Sequence, residues 1–509
     1  MSEDKAKSII REGVEGYIHE IECYAVENNV GIPETAVFTP TKSSREDPEK
    51  IVKKPSKLVE YGRVPGKYFL NEAVSELIET ENGFDIPPGV ESQKEEIVPQ
   101  YYRKKLAEFT KCVLDYGGTF EFKPQAFDSA FDDHISPRYS STHCHEVIIP
   151  LPKLSLYDSE NVRNENLLLS PLISSSRSGA YKWKVASGPT ISKLTDREMA
   201  GIQTYGHPHV SSKKGKTKKD LQWYCKLRTE IEIEHSPTAH SDSRPGINRN
   251  WTGGLARRIG ARIGEQVLTT LRLYRPRNYV GLGPIYTVEN AWLSYRNYCA
   301  DISGSYNGPR SHGGPTVRIE NYLLERDQFN DFYEFWERHG EICDPLDDSE
   351  LSRPIRRLNQ AFGDKRYEDK VIDCYLGFET TLAKERGVNR FQFPIRALLL
   401  FKNTSLTFPD GSEISLEFIY EFFEELYNRR NGIIHDDSDL QLGRFEQREE
   451  WSDDISPEDL SNREFILFGR YFLAKALQEY NKIIEQNGTT VEEINRTRLD
   501  REIVDLLKQ

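Results

Sequence analysis

Ser415-Leu-Glu-Phe-Ile-Tyr-Glu-Phe-Phe-Glu-Glu-Leu-Tyr427 is strongly amphipathic and runs directly into Asn428-Arg-Arg-Asn-Gly-Ile-Ile-His435. Its apolar residues return every three or four positions, the period of one helix face. Ser415 stands where an N-cap belongs, with a hydroxyl able to accept from an orphan backbone N–H of the first turn. A helix with one apolar stripe must bury it against others, and the neighbouring sequence supplies candidates. Tyr322-Leu-Leu-Glu-Arg through Phe332-Tyr-Glu-Phe-Trp336 carries such a stripe, as do 350–362, 367–386, Phe393 to Phe401, and about 463–486. Helices of ten to twenty residues joined by short polar loops describe an all-α bundle over 321–509.

Upstream the character differs. Residues 6–27 and 100–116 have helical spacing, and 32–100 reads as loops around brief elements because Pro, Ser and charge interrupt its apolar runs. From 117 to about 320, Gly118-Thr-Phe-Glu-Phe-Lys123, Glu146 to Pro152, Glu230-Ile-Glu-Ile-Glu234 and Gln266 to Tyr274 read as strands bounded by Gly, Pro, Asn and Ser. The expected fold class is therefore α+β: a mixed, β-rich region over 1–320, of unassigned fold, followed by the helical bundle of 321–509.

Composition narrows the function classes. The 509 residues are 37% apolar and 29% charged, with 11% aromatic residues, which favours packed domains over wholesale disorder. No run approaches the roughly 18 apolar residues of a membrane span. The acidic first thirty residues are wrong for a signal peptide. Seven scattered cysteines contain no CxxC and give no disulfide framework. A reducing cytoplasm is the expected location, with no membrane partner. The net charge of -13 disfavours indiscriminate adhesion to nucleic acid. Yet 211–280 holds 15 Lys and Arg against 6 Asp and Glu, a local +9. Its densest part, containing Lys213, Lys214, Lys216, Lys218 and Lys219, reads either as a solvated loop or as a surface for a polyanion.

The segment after Tyr427 carries the chemistry. If the helix continues, Tyr427, Asn431 and His435 fall four apart on one face, and Arg430 lies three from Tyr427. Guanidinium, amide and imidazole together suit displacement at a phosphodiester. Arginine is always charged and binds phosphate through two parallel N–H bonds. An imidazole of pKa about 6.5 moves protons near neutrality. RNA brings its own nucleophile in the 2′-hydroxyl, so no cofactor or metal is required. The alternative is structural: Asn431-Gly432 turns the chain, since an interior Gly costs a helix about 1 kcal/mol, and His435 is a surface residue.

Arg430-Asn431-x-x-x-His435 resembles the R-x(4–6)-H motif of HEPN domains, including the polar residue after the Arg. Arg366 to Asp373 followed by Leu376-Gly-Phe-Glu379 resembles the acidic second-helix segment of the ApeA-like HEPN group, and Arg396-Ala-Leu-Leu-Leu400 the stretch after it. The resemblance covers roughly 321–490. It implies a metal-independent endoribonuclease acting on tRNA or mRNA, built as a homodimer whose motif helices face each other, and leaving 2′,3′-cyclic phosphate and 5′-hydroxyl ends. It also implies a toxin-like effector of antiviral defence, released by a phage-derived or cellular trigger. Carried onto this chain, Arg430 holds the scissile phosphate and stabilises its transition state, His435 is the general base or orients the 2′-hydroxyl, and Asn431 positions His435 or the phosphate. Asp373 is the candidate acidic partner, with Glu379 as second choice, and Arg429 touches the RNA backbone. Asp437 stands where many toxin-type members carry a modifiable Tyr, so regulation at that site is not expected.

Two rivals remain open at this level. One is a non-catalytic HEPN module that dimerises and binds RNA or nucleotide. The other is a metal-dependent hydrolase in the N-terminal region, using His143 and His145, because His-x-His on a strand puts two imidazoles on the same side.

Overall fold

The computed structural model describes residues 3–27, 67–80, most of 106–136, 142–157, most of 166–193, 225–235, 248–283, 285–288, 302–306, 322–363, 366–382, 391–435 and 455–501. The fold is mixed α+β with a helical C-terminal region. The chain divides into two compact units, the first made of 1–150, 163–261 and 284–308, the second of 151–162, 262–283 and 309–509.

In the first unit, helices α1 (Glu3–Glu27), α2 (Lys67–Thr80) and α3 (Pro124–His134) surround a core of Ile10, Val14, Ile18, Leu70, Val74, Phe127 and Phe131. The helix α2 lies inside the stretch that reads as loops. The described positions between 106 and 117 are helical as expected, whereas those in Gly118–Lys123 are bends or irregular and form no strand. A sheet follows, built from β1 (Thr142–Leu151), β3 (Leu167–Leu168), β4 (Ser175–Ser178), β5 (Tyr181–Lys193), β6 (Cys225–His235), β7 (Ile285–Val288) and β8 (Ile302–Tyr306). Its order is β3-β5-β6-β1-β7-β8, with β4 also on β5. In β6 the alternation is physical: Leu227, Thr229, Ile231 and Ile233 are buried, and the charges between them face outward. Lys184 reaches Glu232 at 2.7 Å across the β5–β6 register, and Arg228 reaches Glu146 at 2.6 Å.

The second unit contains a parallel pair, β2 (Leu154–Tyr157) and β9 (Tyr322–Glu325). The stripe expected to begin a helix at Tyr322 is thus a strand for four residues, held by the Tyr322 hydroxyl donating to Leu271 O at 2.9 Å. Gln266–Tyr274 is the reverse case: it is the end of a long helix, α4 (Asn248–Tyr274). A buried helix shows no polar face, and a short apolar run does not distinguish it from a strand. Two of its buried polar side chains bond to backbone carbonyls, Gln266 Nε2 donating to Gly340 O at 2.7 Å and Thr270 Oγ1 to Gln266 O at 2.9 Å.

The bundle itself consists of α5 (Phe329–His339), α6 (Ser352–Ala361), α7 (Tyr367–Leu382), α8 (Gln392–Phe401), α9 (Leu416–His435) and α10 (Asn462–Asn487). Phe418, Ile419, Phe422, Phe423 and Leu426 of α9 are buried. Phe423 meets Phe378 of α7 edge-on at 4.7 Å, and Phe422 stacks on Phe465 of α10 at 4.6 Å. Ser415 Oγ accepts from Phe418 N at 3.1 Å, the expected cap of α9. A reciprocal Ser461–Glu464 capping box opens α10, and Gly488 closes it at φ 60°. Where α7 and α10 meet, a Cβ on Gly377 would lie 2.5 Å from Leu473 Cδ2, so any larger residue there would force Leu473 to shift. Buried Arg396 anchors the chain end: its Nε and a terminal N–H each donate to Asp500 at 2.9 Å, and another to Leu382 O at 2.6 Å.

Candidate functional site

The helix α9 runs through Asn431 and Gly432 to His435 without breaking. The turn alternative for Asn431-Gly432 is thereby excluded, and positions 427, 431 and 435 share one face of a continuous helix. Arg430 lies with its guanidinium carbon 5.1 Å from the centre of the Tyr375 ring and donates to Asn431 Oδ1 at 2.8 Å. Tyr375, on α7, also lies against Tyr427 at 6.3 Å and Phe393 at 5.3 Å between ring centres. No carboxylate of a described residue forms an ion pair with Arg430. Its partners among the described residues are an amide oxygen and an aromatic face, neither of which neutralises it. Of His435 the backbone position is what the structure gives, one turn beyond Asn431.

Arg429 is placed differently from expectation. Its Nε donates to Glu425 at 2.6 Å, its terminal nitrogens to Asn462 Oδ1 at 3.3 Å and to the carbonyls of Glu458 at 3.4 Å and Leu460 at 3.5 Å. The same guanidinium covers the Phe465 ring at 4.0 Å. With its side chain 10% exposed and its donors occupied, Arg429 fastens α9 to the entrance of α10 and is not available for an RNA phosphate.

Asp373 is placed against α6. It is 3% exposed and accepts from Arg357 of α6 at 2.9 Å, inside the α6–α7 contact. Two positions along a helix is about 200°, so Asp373 and Tyr375 point to different sides of α7. Glu379, one turn beyond Tyr375, shares the Tyr375 side. Burial first, and then the Glu379 charge, push the Tyr375 phenol up, while Arg430 pulls it down. Glu379 and Arg430 thus both lie within electrostatic reach of the Tyr375 phenol. Tyr375 is the residue that sequence reasoning missed, since no local pattern tells that a tyrosine 55 positions earlier will floor an arginine.

Lys213, Lys214, Lys216, Lys218, Lys219 and Asp437 lie outside the described residues. On β1, His145 is buried and Cys144 is exposed. Burial and then Glu230, Glu232 and Glu146 push the Cys144 thiol up, which disfavours a metal-binding thiolate. Among the described residues, no group of three or more His, Cys, Asp or Glu side chains is arranged to hold a metal ion, and no helix is long and apolar enough to cross a membrane. Set against models of known families, curated proteins and solved structures, the chain matches none.

Proposed function

We propose that the second unit is a metal-independent endoribonuclease of HEPN type, with Arg430, Asn431 and His435 at the scissile phosphodiester. One observation carries the reading: the motif lies on an unbroken helix, with a guanidinium over Tyr375 that has no ion-pair partner among the described residues and an amide beside it. That is an arrangement suited to an anion that arrives from outside.

The reaction is an internal displacement. The ribose 2′-oxygen bonds to the adjacent phosphorus as the P–O5′ bond breaks, giving a 2′,3′-cyclic phosphate. The His435 imidazole takes the 2′-hydroxyl proton, and the departing 5′-oxygen takes one from solvent to become a 5′-hydroxyl. Arg430 opposes the charge that builds on the phosphoryl oxygens. Asn431 fixes the guanidinium fork, and Glu379, on the Tyr375 side of α7, is the acid we assign to the site in place of Asp373. A second copy supplies the facing helix in a homodimer, tRNA or mRNA is the substrate, and the first unit couples a trigger of infection to cutting, as in a toxin-like defence effector.

RNA cleavage in excess EDTA, with analysis of fragment ends, tests this. The wild type is expected to leave cyclic-phosphate ends. His435→Ala is expected to cut roughly 10²–10⁴-fold slower, the usual worth of a general base, and Arg430→Ala about 10²–10³-fold slower. Equal cutting by all three proteins sinks the assignment.

A further inference from the structure

Arg262, Arg357, Arg396 and Arg429 in the second unit each have an acid within bonding distance: Asp344, Asp373, Asp500 and Glu425. Arg272 and Arg470 break this pattern. Arg272 of α4 and Arg470 of α10 gather at one aromatic ring, their guanidinium carbons 4.8 and 4.3 Å from the centre of Phe362. Arg272 is 4% exposed and donates to Asn359 Oδ1 at 3.0 Å and Val280 O at 3.4 Å. The Nε atoms of both arginines are buried and meet no acceptor among the described residues. No described carboxylate pairs with either side chain.

The neighbours are a phenyl ring, an amide, a carbonyl, the Tyr279 phenol and the Cys374 thiol. Burial holds both guanidiniums below the ordinary arginine value, at about 10. Each is lowered further by a nearby arginine, Arg272 by Arg470 and Arg470 by Arg463. Arginine does not shed its proton at working pH, and two such charges in a medium of low polarity repel strongly. Buried charges are ordinarily paired, yet among the described residues no negative group pairs with either of these two. The planar forks match phosphate geometry.

We propose that Arg272 and Arg470, gathered at Phe362, bind a phosphate group, either free or carried on a small molecule such as a nucleotide. None of these residues belongs to the Arg430 cluster, so this site stands or falls separately from the ribonuclease.

Thermal unfolding and calorimetric titration of the full chain with inorganic phosphate and with ATP, at matched ionic strength against chloride, test it. A saturable rise in Tm and measurable binding by at least one of the two is expected. Arg470→Gln should weaken that binding at least tenfold, and Arg470→Lys, which keeps the charge but loses the fork, should weaken it less. Arg430→Ala should keep the component of binding that Arg470→Gln removes. Phosphate binding that ATP does not displace identifies the free ion; tighter ATP binding that competes with phosphate identifies a nucleotide. If Arg470→Gln does not fold, the Lys variant decides, and its unaltered affinity overturns the site. Absence of stabilisation beyond chloride by either anion, or binding lost with Arg430→Ala and kept with Arg470→Gln, overturns it as well.

Discussion

Arg429 and Arg430 are neighbours in the chain with opposite employment, because one residue along a helix is a turn of about 100°. One is bound into the fold by Glu425, Asn462 and Phe465, and the other rests on Tyr375 and Asn431. Arg429→Ala should lower stability by about 2–4 kcal/mol, near the range for breaking a mostly buried pair, while leaving RNA affinity unchanged. Denaturant midpoints and filter binding check the two halves. The acids separate in the same way: Asp373→Asn should act on stability, and Glu379→Gln on cleavage rate. A reversed pattern would return Asp373 to the site. Spacing in the sequence put Arg430, Asn431 and His435 on one helix, and α9 carries all three positions. Spacing was not enough to choose between two acids on one helix, because the choice depends on which side of α7 meets α9.

The elements of the bundle were legible where period and capping agree, as in α9 with Ser415, or where the periodic stripe is long, as in α10. They were illegible where burial removes the polar face, as in Gln266–Tyr274, or where four residues pair as a strand, as in Tyr322–Glu325. The helix α5 carries its own sensitivity to acid. His339 is 4% exposed, lies 4.4 Å from the Phe335 ring centre and accepts at Nδ1 from Asn481 Nδ2 at 3.0 Å, which requires the neutral ring. Burial, then Arg338 and Lys475, hold its pKa at about 4, against 6.5 for the free side chain. Below 6.5 the unfolded chain takes a proton that the folded ring refuses. Stability is therefore expected to fall as pH drops from about 6.5 to 4, by about 3 kcal/mol in all. His339→Gln should flatten that part of the profile; urea midpoints at pH 7, 5.5 and 4.5 show whether it does.

For the whole molecule the charge pattern matters more than the total. A chain of net -13 repels RNA at a distance, except around the +9 stretch of 211–280. Replacing Lys213, Lys214, Lys216, Lys218 and Lys219 with Ser should weaken RNA binding and make the slope of log affinity against log salt shallower by up to about one unit per lost phosphate contact. An unchanged slope would remove the segment from the RNA path. The unbroken course of α9 also sets an angular phase. Its buried residues from Phe418 to Leu426 lock the rod's rotation against the core, and the polar cluster inherits that rotation four residues later. Inserting a single residue between Leu426 and Arg430 would leave the gripped part in place and swing the guanidinium about 100° off the Tyr375 ring. Here the reading frame of a helix, more than the identity of any one side chain, decides where the charge points.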